Sequence, residues 1–146
     1  MLTFVIQFIV GLLGGIAASL QASFSGTIGQ RLGDMESVFI AYAGGGLLIG
    51  LITLGVGGGN LTEWRSLPWY VFLAGPLGLV IIGSLSYNVP RLGGAVASTL
   101  FVTTWLITSA VLDHFGLFGV SQRALNLPRI LGLITLLIGT WLMVRE

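Results

Sequence analysis

Residues 3–25 read TFVIQFIVGLLGGIAASLQASFS, from Thr3 to Ser25, and hold no charged side chain. A helix of this length, rising about 1.5 Å per residue, passes through a hydrocarbon core about 30 Å thick. Gln7, Gly11, Gly14, Ala18, Gln21 and Ser25 recur at alternating steps of four and three, which confines them to a stripe about 80° wide on a helix turning about 100° per residue. Val5, Ile9, Leu12, Ile16 and Leu20 take the opposite face. In a bilayer the bulky aliphatic face looks at lipid, and the small, amide-bearing face looks at protein or at a water-filled cavity.

The pattern of charges extends this reading to the whole chain. No charge precedes Arg31, and further uncharged windows run from Ser37 to Thr62, Ser66 to Pro90, Leu92 to Leu112 and Ile130 to Val144. Four of these windows are long enough to span, and the fifth spans with its flanking arginines snorkelling to the headgroups. The expected architecture is an all-α integral membrane protein, a single transmembrane domain over residues 1–146 with five transmembrane helices at about residues 3–25, 37–56, 68–88, 93–112 and 127–144. The N-terminal run lacks a basic segment before it and is too long for a signal-peptide core, so it reads as a retained first helix.

Composition agrees. With 55% hydrophobic and 8% charged residues and a mean hydropathy of +1.01, the chain has too little polar surface to cover a water-soluble globule. A net charge of +1, with no two arginines adjacent, gives no basic patch and hence no nucleic-acid partner. There is no cysteine, so disulfides and thiolate metal sites are excluded.

Between the spans, the glycines of Gly26 to Glu36 suggest a connection after the first helix. Gly46 and Gly50 form a small-xxx-small pair suited to close helix approach. Gly75-Pro76 is expected to bend the third helix by removing a backbone hydrogen bond. Pro68, Trp69 and Tyr70 suit a first turn at headgroup level. The fourth helix gathers Ser98, Phe101, Trp105, Thr108 and Ser109 along one side, Asp113-His114 ends it, and Asn126 is an N-cap candidate for the fifth.

No Asp, Glu, Lys or Arg falls at mid-membrane depth, which argues against proton-coupled multidrug efflux through a buried carboxylate. One histidine, no serine-nucleophile motif and no metal-ligand spacing argue against an enzyme, and nothing calls for a cofactor or a metal. Neutral polar groups remain: Gln7, Gln21, Ser25, Trp105 and Thr108 as candidate substrate contacts, and Gly11, Gly14, Ala18, Gly46, Gly50, Gly75 and Pro76 as packing or gating positions. The competing reading of the polar set is interhelical glue, worth about 0.6 kcal/mol per contact in a bilayer protein.

Four segments, Leu20-Gln21-Ala22-Ser23-Phe24-Ser25, Pro68-Trp69, Val89-Pro90-Arg91-Leu92-Gly93 and Leu112-Asp113-His114-Phe115-Gly116, resemble in order and spacing the small YdcZ-like family of the drug/metabolite transporter superfamily. The resemblance implies a multi-pass protein of the bacterial inner membrane that works as an antiparallel pair, either a homodimer or a pair with a homologous subunit of opposite orientation. Such a pair rebuilds the ten-helix inverted repeat of larger relatives. It further implies alternating-access transport or export of a small molecule, with Gln21 carried over directly. Ser25 stands where the family commonly has Asn, and Trp105 where it has Gln. The rival class is a non-transporting membrane scaffold or accessory subunit.

Overall fold

The structure, a computed structural model, describes residues 2–145. It contains five long α-helices: α1 (Leu2–Leu32), α2 (Asp34–Gly55), α3 (Ala74–Leu92), α4 (Gly94–Phe115) and α5 (Leu127–Val144), with short 3-10 segments at Leu61–Ser66, Trp69–Leu73 and Leu117–Gly119. Five stretches, one at each long helix, are long and apolar enough to cross a membrane. The chain divides into two compact units at Arg91/Leu92, the first holding α1 to α3 and the second α4 and α5.

Burial is the reverse of that in a water-soluble protein. Among the described residues the buried apolar side chains are Ala22, Ile82 and Ala97 alone, whereas Ser25, Ser37, Ser86, Thr103 and Thr140 are buried and nearly all the large aliphatic and aromatic side chains are exposed. Such a surface is stable only against hydrocarbon, with the polar groups paired between helices.

In the first unit α1 runs past the expected stop at Ser25 and ends at Leu32. Its 31 residues measure about 46 Å at 1.5 Å each, longer than the hydrocarbon core. Gly26 and Gly29 are interior helix positions, not turn residues, because α3 lies against them: a Cβ at Gly26 would sit 2.8 Å from Val89 Cγ1, and one at Gly29 would strike Ser86 Oγ. The break comes at Gly33, whose φ of 119° is disfavoured for any side chain. There Gly33 N–H donates to Gly29 O at 3.0 Å, and Ser37 N–H to Gly33 O at 3.0 Å, so one residue turns α1 into α2 and is hydrogen-bonded to both helices. Asp34 and Glu36 in the first turn of α2 complement its dipole.

Contacts down α2 and α3 show the two helices antiparallel: Ser86 Oγ donates to Asp34 Oδ1 at 2.9 Å, Gly83 faces Val38, and the Tyr42 hydroxyl rests on Gly78. Gly75 and Pro76, where a bend is expected, lie in the first turn of α3, directly after the 3-10 segment Trp69–Leu73 passes into α-helix, so the change of geometry falls within two residues of the expected place. Pro90 is the proline inside α3, and the helix ends two residues after it.

The second unit is an antiparallel hairpin. Thr103 meets Thr140, Thr99 Oγ1 donates to Met143 Sδ at 3.3 Å, and Asp113 faces Arg129, pairings whose residue numbers rise along α4 as they fall along α5. Gly116, with φ 62°, closes α4 in the left-handed conformation usual after a helix end. Asn126 caps α5 as expected, its side chain accepting from Arg129 N–H at 3.1 Å.

Candidate functional site

On α1 the turn that carries Gln21 and Ser25 divides between two environments. Ser25 is buried, and its carbonyl accepts from Ser37 Oγ of α2 at 2.9 Å and from Ser86 Oγ of α3 at 3.2 Å. Ser86 has one hydroxyl proton for two acceptors, Ser25 O and Asp34 Oδ1, so the cluster ties three helices together through a shared donor. A serine is small enough to let the helices close and still supplies the hydrogen bond the interior lacks.

Gln21, one turn earlier, is exposed and stands at an open hollow of about 410 Å³ whose walls include Ala41, Tyr42, Gly45, Gly46, Ile49 and Ile82. Among the described residues no group hydrogen-bonds the Gln21 amide or the Tyr42 hydroxyl. Gly45 and Gly46 leave room in the wall, since a Cβ at either would touch nothing within 4 Å. The hollow is therefore lined by small and aliphatic groups with one amide and one phenol. It holds no charge, which suits an uncharged or weakly polar molecule better than an ion.

The other positions expected from the sequence are more dispersed. Gln7 and Ala18 are exposed, and nothing lies within 4 Å of a Cβ at Gly11, Gly14, Gly50 or Gly75. The amino-terminal half of the α1 stripe is thus bare within one chain. Pro76 is exposed at the start of α3. On α4, Trp105 is 61% exposed and leans on Phe101, ring centres 5.9 Å apart, while Thr108 is exposed. Of the expected set, the Gln21 hollow brings together Gln21 and Gly46. Tyr42, Ser37, Ser86 and Asp34 are the residues that sequence reasoning missed. For Tyr42 a signal was present, a lone phenol one helical turn from Gly46.

Each unit has a further hollow. One, about 470 Å³, lies by Gly29, Gln30, Gly33, Asp34, Pro90 and Arg91; the Arg91 guanidinium stacks 3.6 Å above the Tyr87 ring and donates to Tyr87 O, which holds it on its own helix. The other lies in the α4–α5 hairpin beside Asp113 and Arg129. Among the described residues no group of histidine, cysteine and carboxylate side chains could hold a metal ion.

Residues 6–142 match the family described as "Putative inner membrane exporter, YdcZ". The chain belongs to that family. A relative in Escherichia coli (strain K12), "Inner membrane protein YdcZ", is 33% identical over 81 residues, which is 56% of this chain and 54% of that protein. The match thus spans about half of the relative's length. No solved structure matches the chain. Membership in the YdcZ family, with five membrane-length helices, makes this a multi-pass inner-membrane protein, and the family's description is that of an exporter, a transporter rather than an enzyme.

Proposed function

We propose that the chain exports a small, uncharged molecule by alternating access, as one half of an antiparallel pair, with Gln21 as the principal polar contact of the substrate. The observation that carries this is the placing of an exposed amide and an exposed phenol, Gln21 and Tyr42, on one open hollow of about 410 Å³. An amide with four hydrogen-bonding sites at membrane depth needs water, substrate or a partner helix to supply the missing groups. The bare glycine stripe of α1 supports the pair, because small residues with nothing against them within one chain suit close approach by a second. The second copy can be identical or a homologous subunit of opposite orientation.

The test is Gln21→Leu, which keeps the volume and removes every polar group. In proteoliposomes loaded with a panel of uncharged solutes, flux should fall about five- to thirtyfold, the cost of losing one or two hydrogen bonds worth about 1 kcal/mol each, with the dimer content in detergent unchanged. Loss of dimer in parallel with flux would instead favour the reading of α1 as glue in a non-transporting scaffold. Unaltered flux in an intact dimer would remove Gln21 from the path.

A further inference from the structure

We propose that the groove between α4 and α5 binds a phospholipid, selecting the headgroup that joins a phosphate to a primary ammonium, as in phosphatidylethanolamine. The groove holds about 330 Å³; Asp113, Arg129 and Ser109 line one part of it, and Leu106, Gly132 and Leu136 another. Asp113 is in the last turn of α4 and Arg129 in the first turn of α5, so both charges stand where the helices leave the hydrocarbon, at headgroup depth.

The two charges form an ion pair without a direct hydrogen bond. Arg129 Nη2 lies 3.8 Å from Asp113 Oδ2, beyond hydrogen-bond length. Arg129 Nη1 makes a long bond of 3.4 Å to Arg123 O, and among the described residues nothing donates to the Asp113 carboxylate. A guanidinium has five donors and a carboxylate about four acceptor positions, so both keep free capacity. The side chains are 37% and 29% exposed, open enough to be reached and shielded enough for a charged hydrogen bond to count.

An open cation beside an open anion complements a zwitterion: phosphate on Arg129, ammonium on Asp113. The rest of the groove points to a lipid over a free solute. From Asp113 to Leu106, and from Arg129 to Leu136, is seven residues, about 10 Å along a helix, and along that path the lining turns apolar, as the glycerol and first acyl carbons require. A Cβ at Gly132 would meet nothing within 4 Å, so the floor is open there. Phosphatidylcholine offers Asp113 a cation without an N–H donor, and phosphatidylglycerol offers no cation at all.

Delipidated full-length protein in detergent, titrated with palmitoyl-oleoyl phosphatidylethanolamine, phosphatidylcholine or phosphatidylglycerol and read by native mass spectrometry, tests this. The ethanolamine lipid should bind about three- to tenfold more tightly than the other two, the effect of one partly screened charged hydrogen bond. Asp113→Asn should bring the ethanolamine and glycerol lipids to parity. Gly132→Leu, which fills the floor and leaves both charges, should cut binding of the ethanolamine lipid by a similar factor without lowering the melting temperature; it decides the matter alone if Asp113→Asn disturbs the fold. Equal binding of the three lipids, wild-type binding by Gly132→Leu, or displacement of the lipid by an equal concentration of water-soluble glycerophosphoethanolamine would each overturn the proposal. The readout is binding and not flux, so it stands or falls apart from the transport reading.

Discussion

The Thr103 and Thr140 hydroxyls lie 2.5 Å apart, buried between α4 and α5. Thr140 Oγ1 also donates to Leu136 O, one turn back on its own helix, at 2.8 Å, so the pair is tied into the backbone of α5. Thr103→Val should destabilise the hairpin by about 0.6 to 1.7 kcal/mol, the range for interhelical hydrogen bonds in a bilayer protein. Thr103→Val combined with Thr140→Val should cost less than the two single changes summed, because both partners of one bond are then apolar. Thermal or denaturant unfolding in detergent of the two singles and the double measures this; strict additivity would mean that the hydroxyls are not coupled.

Glycines of α1 separate into those that hold α3 and those that hold nothing within one chain. Gly26→Val should destabilise the first unit by about 1 to 3 kcal/mol through overpacking, because the added carbon meets Val89 Cγ1 and Cβ at 2.8 and 3.0 Å. Gly14→Leu has open space around it and should leave the unfolding temperature of the isolated chain unchanged while reducing the dimer fraction. Unfolding curves at dilutions above and below dimer dissociation distinguish the two. Equal effects at all dilutions would place Gly14 in the internal packing with Gly26.

Why the spans were legible and part of the interior was not follows from the range of each signal. Five uncharged windows need only composition, and the Asn126 cap is set by residues within three positions of it; both can be read locally. The end of α1 cannot, because glycine marks a helix stop in isolation and a close approach in context, and only α3 tells which applies at Gly26 and Gly29. A clue lay in the stripe itself: Gly29 falls four residues beyond Ser25, on the same face, so the pattern continued past the expected stop. Ser37 and Ser86 carried no clue at all. Their partner, the Ser25 carbonyl, lies 12 and 61 residues away along the chain, and a single serine in an apolar helix has no period.

His114 is expected to hold the loop between α4 and α5. Its Nδ1 accepts from Leu125 N–H at 3.2 Å, and its carbonyl accepts from Gln122 Nε2 at 3.2 Å, while the neighbouring Asp113 carbonyl receives Arg123 N–H at 2.8 Å. His114→Ala deletes one acceptor and leaves the backbone bonds. Losing one hydrogen bond of about 1 kcal/mol raises the open population about fivefold. Trypsin cleavage after Arg123 should accelerate by that factor relative to cleavage after Arg65, followed by mass spectrometry of the fragments. An unchanged ratio would show that the Leu125 contact does not restrain the loop.

The six arginines make the last prediction, dual topology. If all five helices cross, Arg65, Arg123 and Arg129 fall on the side of the N-terminus and Arg31, Arg91 and Arg145 on the other. Orientation follows the excess of Lys and Arg in short cytoplasmic loops, and three against three leaves no excess to follow. The chain has no cysteine, so Leu32→Cys, at an exposed side chain, and Asn60→Cys report on the two sides without background. In intact cells an impermeant maleimide should label about half of each population, the remainder reacting only after lysis. Two arginines added beside Arg65 should then convert the mixture to one orientation, with position 60 protected and position 32 labelled. A uniform pattern in the parent chain would rule out an antiparallel homodimer and leave the antiparallel pair to a homologous subunit with the opposite charge bias.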